Sequence, residues 1–208
     1  MDKIISLEDY ERKDTFLMFH NRDNPFLFLT VKLDITNLIN YCEIHKYHYA
    51  TISYVICKTI NEVDNFKYRL VDGKIAYYDK INIGYTQKTN NDVGFFQTEY
   101  IDDYGEYIKE YKRRESDYNK GLEGVDYGQK QIWTSCAPWM DFTSLVVPFD
   151  KNVTIPQFIW GKFFKEGEKV FTHLMIMAHH GFVDGQHIGD FVNKLEKNIE
   201  GFNVEGVE

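Results

Sequence analysis

The chain has 208 residues and a formal net charge of −8 at pH 7; 43% of its residues are hydrophobic and 16% aromatic, with 15 Tyr and 16 Phe. That is enough apolar material for one large core, so disorder over the bulk of the chain is excluded. The longest run of Lys and Arg, Lys112-Arg113-Arg114, is interleaved with acids in YGEYIKEYKRRESDY, which excludes a basic nucleic-acid-binding patch.

The opening MDKIISLEDYERKD is charged from its second residue and lacks the apolar segment of a signal peptide. Stretches such as LMIMA are too short to span a bilayer, so a cytoplasmic protein with no membrane partner is expected. Cys42, Cys57 and Cys136 have no CxxC spacing and read as reduced thiols. Helical spacing is expected from about Asp9, with Tyr10, Phe16 and Phe19 recurring on one side. FLFLTVKLDI (26–35) reads as a strand, Thr36 as the cap of a helix over TNLINYCEIH, and ATISYVICKTINEV as a buried helix. A turn at Asp72-Gly73 leads into alternating VDGKIAYYDKINIGYTQ, then a short strand FFQTEY, a helix over 102–120, and a strand QIWTSCAPW ending at Pro138.

FIWGKFFKEGEKVFTHLMIMA predicts two strands joined by a tight turn at KEGEK. On the second, Val170, Leu174, Ile176 and Ala178 share one face while Phe171, Met175 and Met177 share the other. Both faces are apolar, which places this strand deep in a sheet. Ile188, Phe191, Val192, Leu195 and Ile199 then fall at helical spacing and predict an amphipathic closing helix. No repeat or Pro/Gly/Ser-rich linker interrupts the chain, so one domain over 1–208 is expected.

MAHHGFVDGQH (177–187) sits at the junction of that strand and helix. His179, His180, Asp184 and His187 are possible metal ligands, but adjacent residues of a strand point to opposite faces, and the spacing fits neither HExxH nor a Cys/His finger; no metal is expected. A structural corner is the bland alternative, with Asp184 as helix cap and Gly185 permitting a tight turn. Two histidines, a carboxylate and a glycine together at the end of a buried strand suit proton transfer near neutral pH.

HHGFVDG resembles the HHxxxDG pattern shared by chloramphenicol acetyltransferases, condensation domains, plant acyltransferases and dihydrolipoyl acyltransferases. RKDTFLMF, KLDIT, SCAPW and GKFFKEGEKVFTHLMIMAHH are further similar to segments of the chloramphenicol acetyltransferase family, in order and spacing from end to end. The resemblance implies an α/β two-layer sandwich, a large mixed β-sheet packed against helices. It implies an acetyl-CoA-dependent O-acetyltransferase acting on chloramphenicol, and so antibiotic resistance, in a homotrimer with active sites between subunits. His180 would be the general base, His179 its structural neighbour, Ser135 the donor to the oxyanion, and Asp184 with Arg12 a pair that fixes the loop. On the residues alone, Ser135 is equally a plain strand serine and Arg12 a surface charge. A same-mechanism transferase for another small alcohol or amine, and a non-catalytic binder of an aromatic ligand, are the alternatives.

The acceptor pocket would draw on Met18, Phe19, Thr86, Phe95, Val147 and Ile159, and the coenzyme on Lys162, Phe163 and His48. Several of these depart from the family. Thr86-Gln87-Lys88-Thr89 replaces TVFH, Ile159-Trp160 replaces Thr-Met, Val147 and Phe149 replace Leu and a small apolar residue, and His48 in YHYAT replaces a lysine.

Overall fold

The computed structural model describes residues 2–88 and 92–203. In chain order the elements are β1 (Lys3–Ile5), α1 (Lys13–His20), β2 (Phe26–Asp34), α2 (Thr36–His45), α3 (His48–Asn61), β3 (Tyr68–Val71), β4 (Lys74–Tyr77), β5 (Asn82–Lys88), β6 (Val93–Thr98), α4 (Tyr104–Asn119), β7 (Gln131–Cys136), β8 (Gln157–Trp160), β9 (Phe164–Glu166), β10 (Lys169–His179) and α5 (Gly185–Glu200). Seven strands form a sheet in the order β2-β10-β8-β7-β5-β6, with β9 also on β10; β1, β4 and β3 form a second, antiparallel sheet. The β5–β7 and β7–β8 pairs are parallel and the rest antiparallel, so the large sheet is mixed.

β10 has strand neighbours on both sides, as its two apolar faces require. Leu174, Ile176 and Ala178 join the main core with Ile52, Val55 and Ile56 of α3, Tyr107 and Ile108 of α4, and Phe191 and Leu195 of α5. Met175 and Met177 face the other way, into a small cluster with Phe26, Phe28, Ile159 and, from the segment after β7, Phe142, Leu145 and Val147. Helices therefore cover one face of the sheet and an irregular segment covers part of the other. Each fully buried Leu or Ile on the helical face contributes about 1.5–3 kcal/mol through removal from water.

Four expectations need correction. Helix α1 starts at Lys13 rather than near Asp9, because the 3-10 turn over Leu7–Asp9, capped by Ser6, is followed by extended backbone at Tyr10 and a non-helical Arg12. Thr36 is the first residue of α2 rather than its cap; Asp34 accepts both its N–H (3.1 Å) and its hydroxyl (2.6 Å). FIWGKFF is two strands, not one. The break at Gly161 exists because the chain after β7 crosses there: Lys162 N–H donates to Met140 O at 2.7 Å, and a Cβ on Gly161 would lie 2.9 Å from that oxygen. Strand β7 also stops at Cys136, short of Pro138.

Candidate active site

The HHxxxDG turn is held from three directions. His179 ends β10 and is 1% exposed; its carbonyl accepts the N–H groups of Phe182 and Val183, both at 3.0 Å. Gly181 N–H donates to His179 Nδ1 (3.1 Å), so the remaining ring proton lies on Nε2 and is directed to His20 Nδ1 at 3.3 Å. Burial, with smaller contributions from His20 and His180, pushes the His179 pKa down to about 3, so this ring is neutral and structural.

His180 is placed differently. Its backbone N–H is held by Pro25 O (2.8 Å), and its ring lies flat on Phe19, centroids 3.6 Å apart. Nδ1 is 3.2 Å from Val183 O; a carbonyl only accepts, so Nδ1 carries the proton and Nε2 presents a lone pair. A base needs that tautomer.

Asp184 caps α5, accepting from the N–H groups of Gln186 (3.0 Å) and His187 (3.3 Å), while Asp184 N–H donates back to His187 Nδ1 (3.1 Å). It also pairs with Arg12: Nη2 donates to Oδ2 at 2.9 Å and Nη1 to Phe182 O at 2.8 Å. Partial burial opposes the charged carboxylate, but the His187 backbone and ring, Arg12 and the Gln186 N–H outweigh it and hold its pKa below the ordinary value. Cap and ion pair are thus one arrangement, closing the ends of the turn that presents His180.

The glycine that matters is Gly181, not Gly185. A Cβ on Gly181 would lie 2.8 Å from Phe16 Cδ2 and 2.9 Å from both Phe16 Cα and His179 Cε1. Gly185 is the first residue of α5 and a Cβ there would meet nothing within 4 Å. Phe16 is about 165 positions away in sequence (the close approach is a tertiary event), so no local pattern marks Gly181.

Thr86, Phe95, Ser135 and the three residues expected at the coenzyme lie apart from His180. Strand register sets Phe95 opposite Thr86, Ser135 opposite Ile159 and Ile159 opposite Met175, while β7 leaves β5 just after Tyr85↔Thr134, next to Thr86 and Ser135. Thr86, Ser135 and Ile159 line one cavity of about 770 Å³ with Tyr49, Cys136 and Trp139; Gln87, Lys88 and Asp92 add polar groups to it. Phe95 is exposed beside it on β6, and Val147 packs near Ile159. His48, Lys162 and Phe163 line an adjoining cavity of about 360 Å³, into which Trp160 also faces. Thr89 lies outside the described residues. Among the described residues no group of three or more His, Cys, Asp and Glu is arranged to hold a metal ion.

From Ser135 the register crosses two strands to Met175, and His179 lies four residues further along. At about 4.8 Å per strand and 3.3 Å per residue, the Cα atoms of Ser135 and His179 are roughly 16 Å apart. Phe19 stacks on His180 and Met18 is its exposed neighbour on α1, whereas Ser135, Thr86 and Ile159 sit at the other cavity.

The sequence model of chloramphenicol acetyltransferases matches residues 2–196. The chain belongs to the chloramphenicol acetyltransferase family, whose members are acyltransferases. It is 27% identical to a chloramphenicol acetyltransferase of Proteus mirabilis over 93% of each chain, and 28% identical to one of Clostridium perfringens over 93% of each. A solved chloramphenicol acetyltransferase shares the fold, with a TM-score of 0.82 at 23% identity over 96% of this chain and all of the other. No described helix is long and apolar enough to cross a membrane.

Sequence reading overlooked His20, Val183 and Tyr49. His20 and Val183 act through hydrogen bonds to the two histidines that no spacing rule encodes. Tyr49 lies within YHYAT, where the charge of the residue that His48 replaces drew the reading to His48 alone.

Proposed function

We propose that the chain is an acetyl-CoA-dependent O-acetyltransferase of chloramphenicol, working as one domain in a cytoplasmic homotrimer. The observation that carries the reading is His180, whose Nδ1–H is engaged by Val183 O and whose Nε2 is left free to accept a proton. Nε2 takes the proton from the acceptor hydroxyl as its oxygen attacks the thioester carbonyl. The oxyanion that forms accepts a hydrogen bond from the Ser135 hydroxyl. Collapse of the tetrahedral intermediate breaks the carbon–sulfur bond, and the departing coenzyme thiolate takes the proton from His180.

Base catalysis of this kind supplies roughly 10²–10⁴-fold and one oxyanion donor roughly 10²–10³-fold. The separation of His180 from Ser135 supports assembly of each site from two copies, His180, Met18 and Phe19 from one and Ser135, Thr86, Phe95 and Ile159 from the other. Coenzyme in the cavity of His48, Lys162 and Phe163 then reaches the junction with the Ser135 cavity. Arg12 and Asp184 are positioning residues in this scheme. A second reading, transfer to another small alcohol or amine, is favoured by Gln87, Lys88 and Asp92 in the acceptor cavity.

Thiol release from acetyl-CoA tests the proposal. Release that depends on chloramphenicol and is lost in His180→Ala is expected. Chloramphenicol-independent behaviour with coenzyme still bound would move the search to other acceptors, and full turnover by His180→Ala would overturn the mechanism.

A further inference from the structure

The large sheet parts where the two cavities meet, and one side chain stands in the gap. β5 and β7 keep parallel register from Asn82↔Gln131 to Tyr85↔Thr134. At the next position Thr86 N–H donates to Tyr49 Oη (3.0 Å) instead, and Tyr49 Oη donates to Thr134 O (2.7 Å). Tyr49 Oη is also 3.1 Å from Thr86 O, and the Thr86 hydroxyl donates to Thr134 O (3.3 Å), so the phenol and the Thr86 side chain together bridge β5 and β7 where their backbone pairing ends. Burial, with a smaller push from Cys136, raises the Tyr49 pKa, so the bridging hydroxyl keeps its proton.

The ring of Tyr49 packs edge-on against Trp160 (5.2 Å) and Tyr85 (5.4 Å) and lines both the 770 Å³ and the 360 Å³ cavity. The backbone that delivers it is strained: Lys46 has φ 63° and ψ −158°, and Tyr47 φ 62°. Non-glycine residues adopt such conformations only where their surroundings enforce them. Here they immediately precede His48 and Tyr49, the two residues that α3 presents to the smaller cavity.

We propose that Tyr49 limits the length of the acyl group this enzyme transfers. Its ring forms part of the cavity wall that also holds Ser135, and its hydroxyl ties Thr86 to Thr134, the residue before Ser135. The inference rests on the assignment of coenzyme and acceptor to the two cavities. An acyl carbonyl oxygen within reach of the Ser135 hydroxyl sets the rest of the acyl group among Tyr49, Cys136 and Ile159. Acetyl ends there; a longer chain must take the space that the Tyr49 ring fills beside Ser135. Tyr49 is a specificity and positioning residue and takes no proton.

The test compares kcat/KM for acetyl-CoA and butyryl-CoA, with chloramphenicol as acceptor, in the parent, Tyr49→Phe and Tyr49→Ala. Tyr49→Ala is expected to raise the butyryl-to-acetyl ratio at least about tenfold, since one methylene in a pocket is worth about 10–200-fold. Tyr49→Phe keeps the wall, so the ratio holds to within about twofold while kcat falls, KM for acetyl-CoA is unchanged and the Thr86 amide exchanges its hydrogen faster. Tyr49→Leu carries the same expectation as alanine should the alanine variant not fold. An unchanged ratio in the folded truncation overturns the proposal, as does equal relaxation by Tyr49→Phe, which would transfer the effect to the hydroxyl. A parent that transfers no acetyl overturns the functional reading, and this inference with it.

Discussion

His179 gives the fold a definite dependence on pH. The unfolded chain takes up a proton on this residue near pH 6.5, whereas the folded chain resists until about pH 3. Between those values the unfolded state binds more protons, so stability falls as pH is lowered through the window. From pH 8 to pH 5 the loss from His179 alone is about 2 kcal/mol, and it approaches about 4–5 kcal/mol only near pH 3. His20 and His187, whose pKa values burial also lowers, add losses of the same sign, so the parent slope alone does not isolate His179. The comparison is with His179→Asn, whose amide oxygen accepts from Gly181 N–H but does not titrate. Urea unfolding at fixed protein concentration, with both proteins at pH 8 and pH 5, measures the difference, since self-association shifts apparent stability. The asparagine variant should be less stable than the parent at pH 8, yet lose about 2 kcal/mol less on going to pH 5. Equal losses would refute the claim that His179 is held neutral by burial.

Other consequences are simpler to state. Asp184→Asn keeps a capping side chain and should cost under about 1 kcal/mol in urea unfolding, while kcat falls because the Arg12 charge pairing that steadies the turn is gone; Asp184→Ala should cost about 1 kcal/mol more. Gly181→Ala must push the added methyl against Phe16, with an expected destabilisation of about 1–3 kcal/mol and a loss of turnover larger than the loss of coenzyme binding. Arg69 is fully buried, donating to the carbonyls of Phe66, Tyr68, Gln129 and Gln131, and although burial lowers its pKa to about 9 it stays charged at neutral pH. Arg69→Met should therefore destabilise by at least about 3 kcal/mol by stranding those carbonyls; a smaller change in the urea midpoint would show that water replaces the guanidinium.

The parts of this structure that repeat locally were legible in the sequence. Two apolar faces on VFTHLMIMA place β10 inside the sheet, and the helical spacing of Ile188 to Ile199 gives α5, because side-chain periodicity follows directly from backbone geometry. HHxxxDG and its resemblance to a known family brought Arg12 and Asp184 together across the length of the chain, which spacing alone could not do. What stayed hidden depends on contacts between distant segments. Gly181 is dictated by Phe16, the break at Gly161 by Met140 O, and the inserted hydroxyl between β5 and β7 by Tyr49. The separation of Ser135 from His180 within one chain is of the same kind: the two read as partners in sequence, yet the strand order sets them on opposite sides of β8.

That separation also supplies the most direct test of the central proposal, a catalytic site made by His180 of one copy and Ser135 of another. His180→Ala and Ser135→Ala subunits, each impaired alone, are denatured together, refolded as a mixture and assayed for chloramphenicol-dependent thiol release from acetyl-CoA. If each site draws the two residues from different copies, about one quarter of the sites in a random mixture carry both, and activity returns toward about a quarter of the parent's. If activity stays at the sum of the two impaired proteins, the base and the oxyanion donor belong to one chain and the account is wrong.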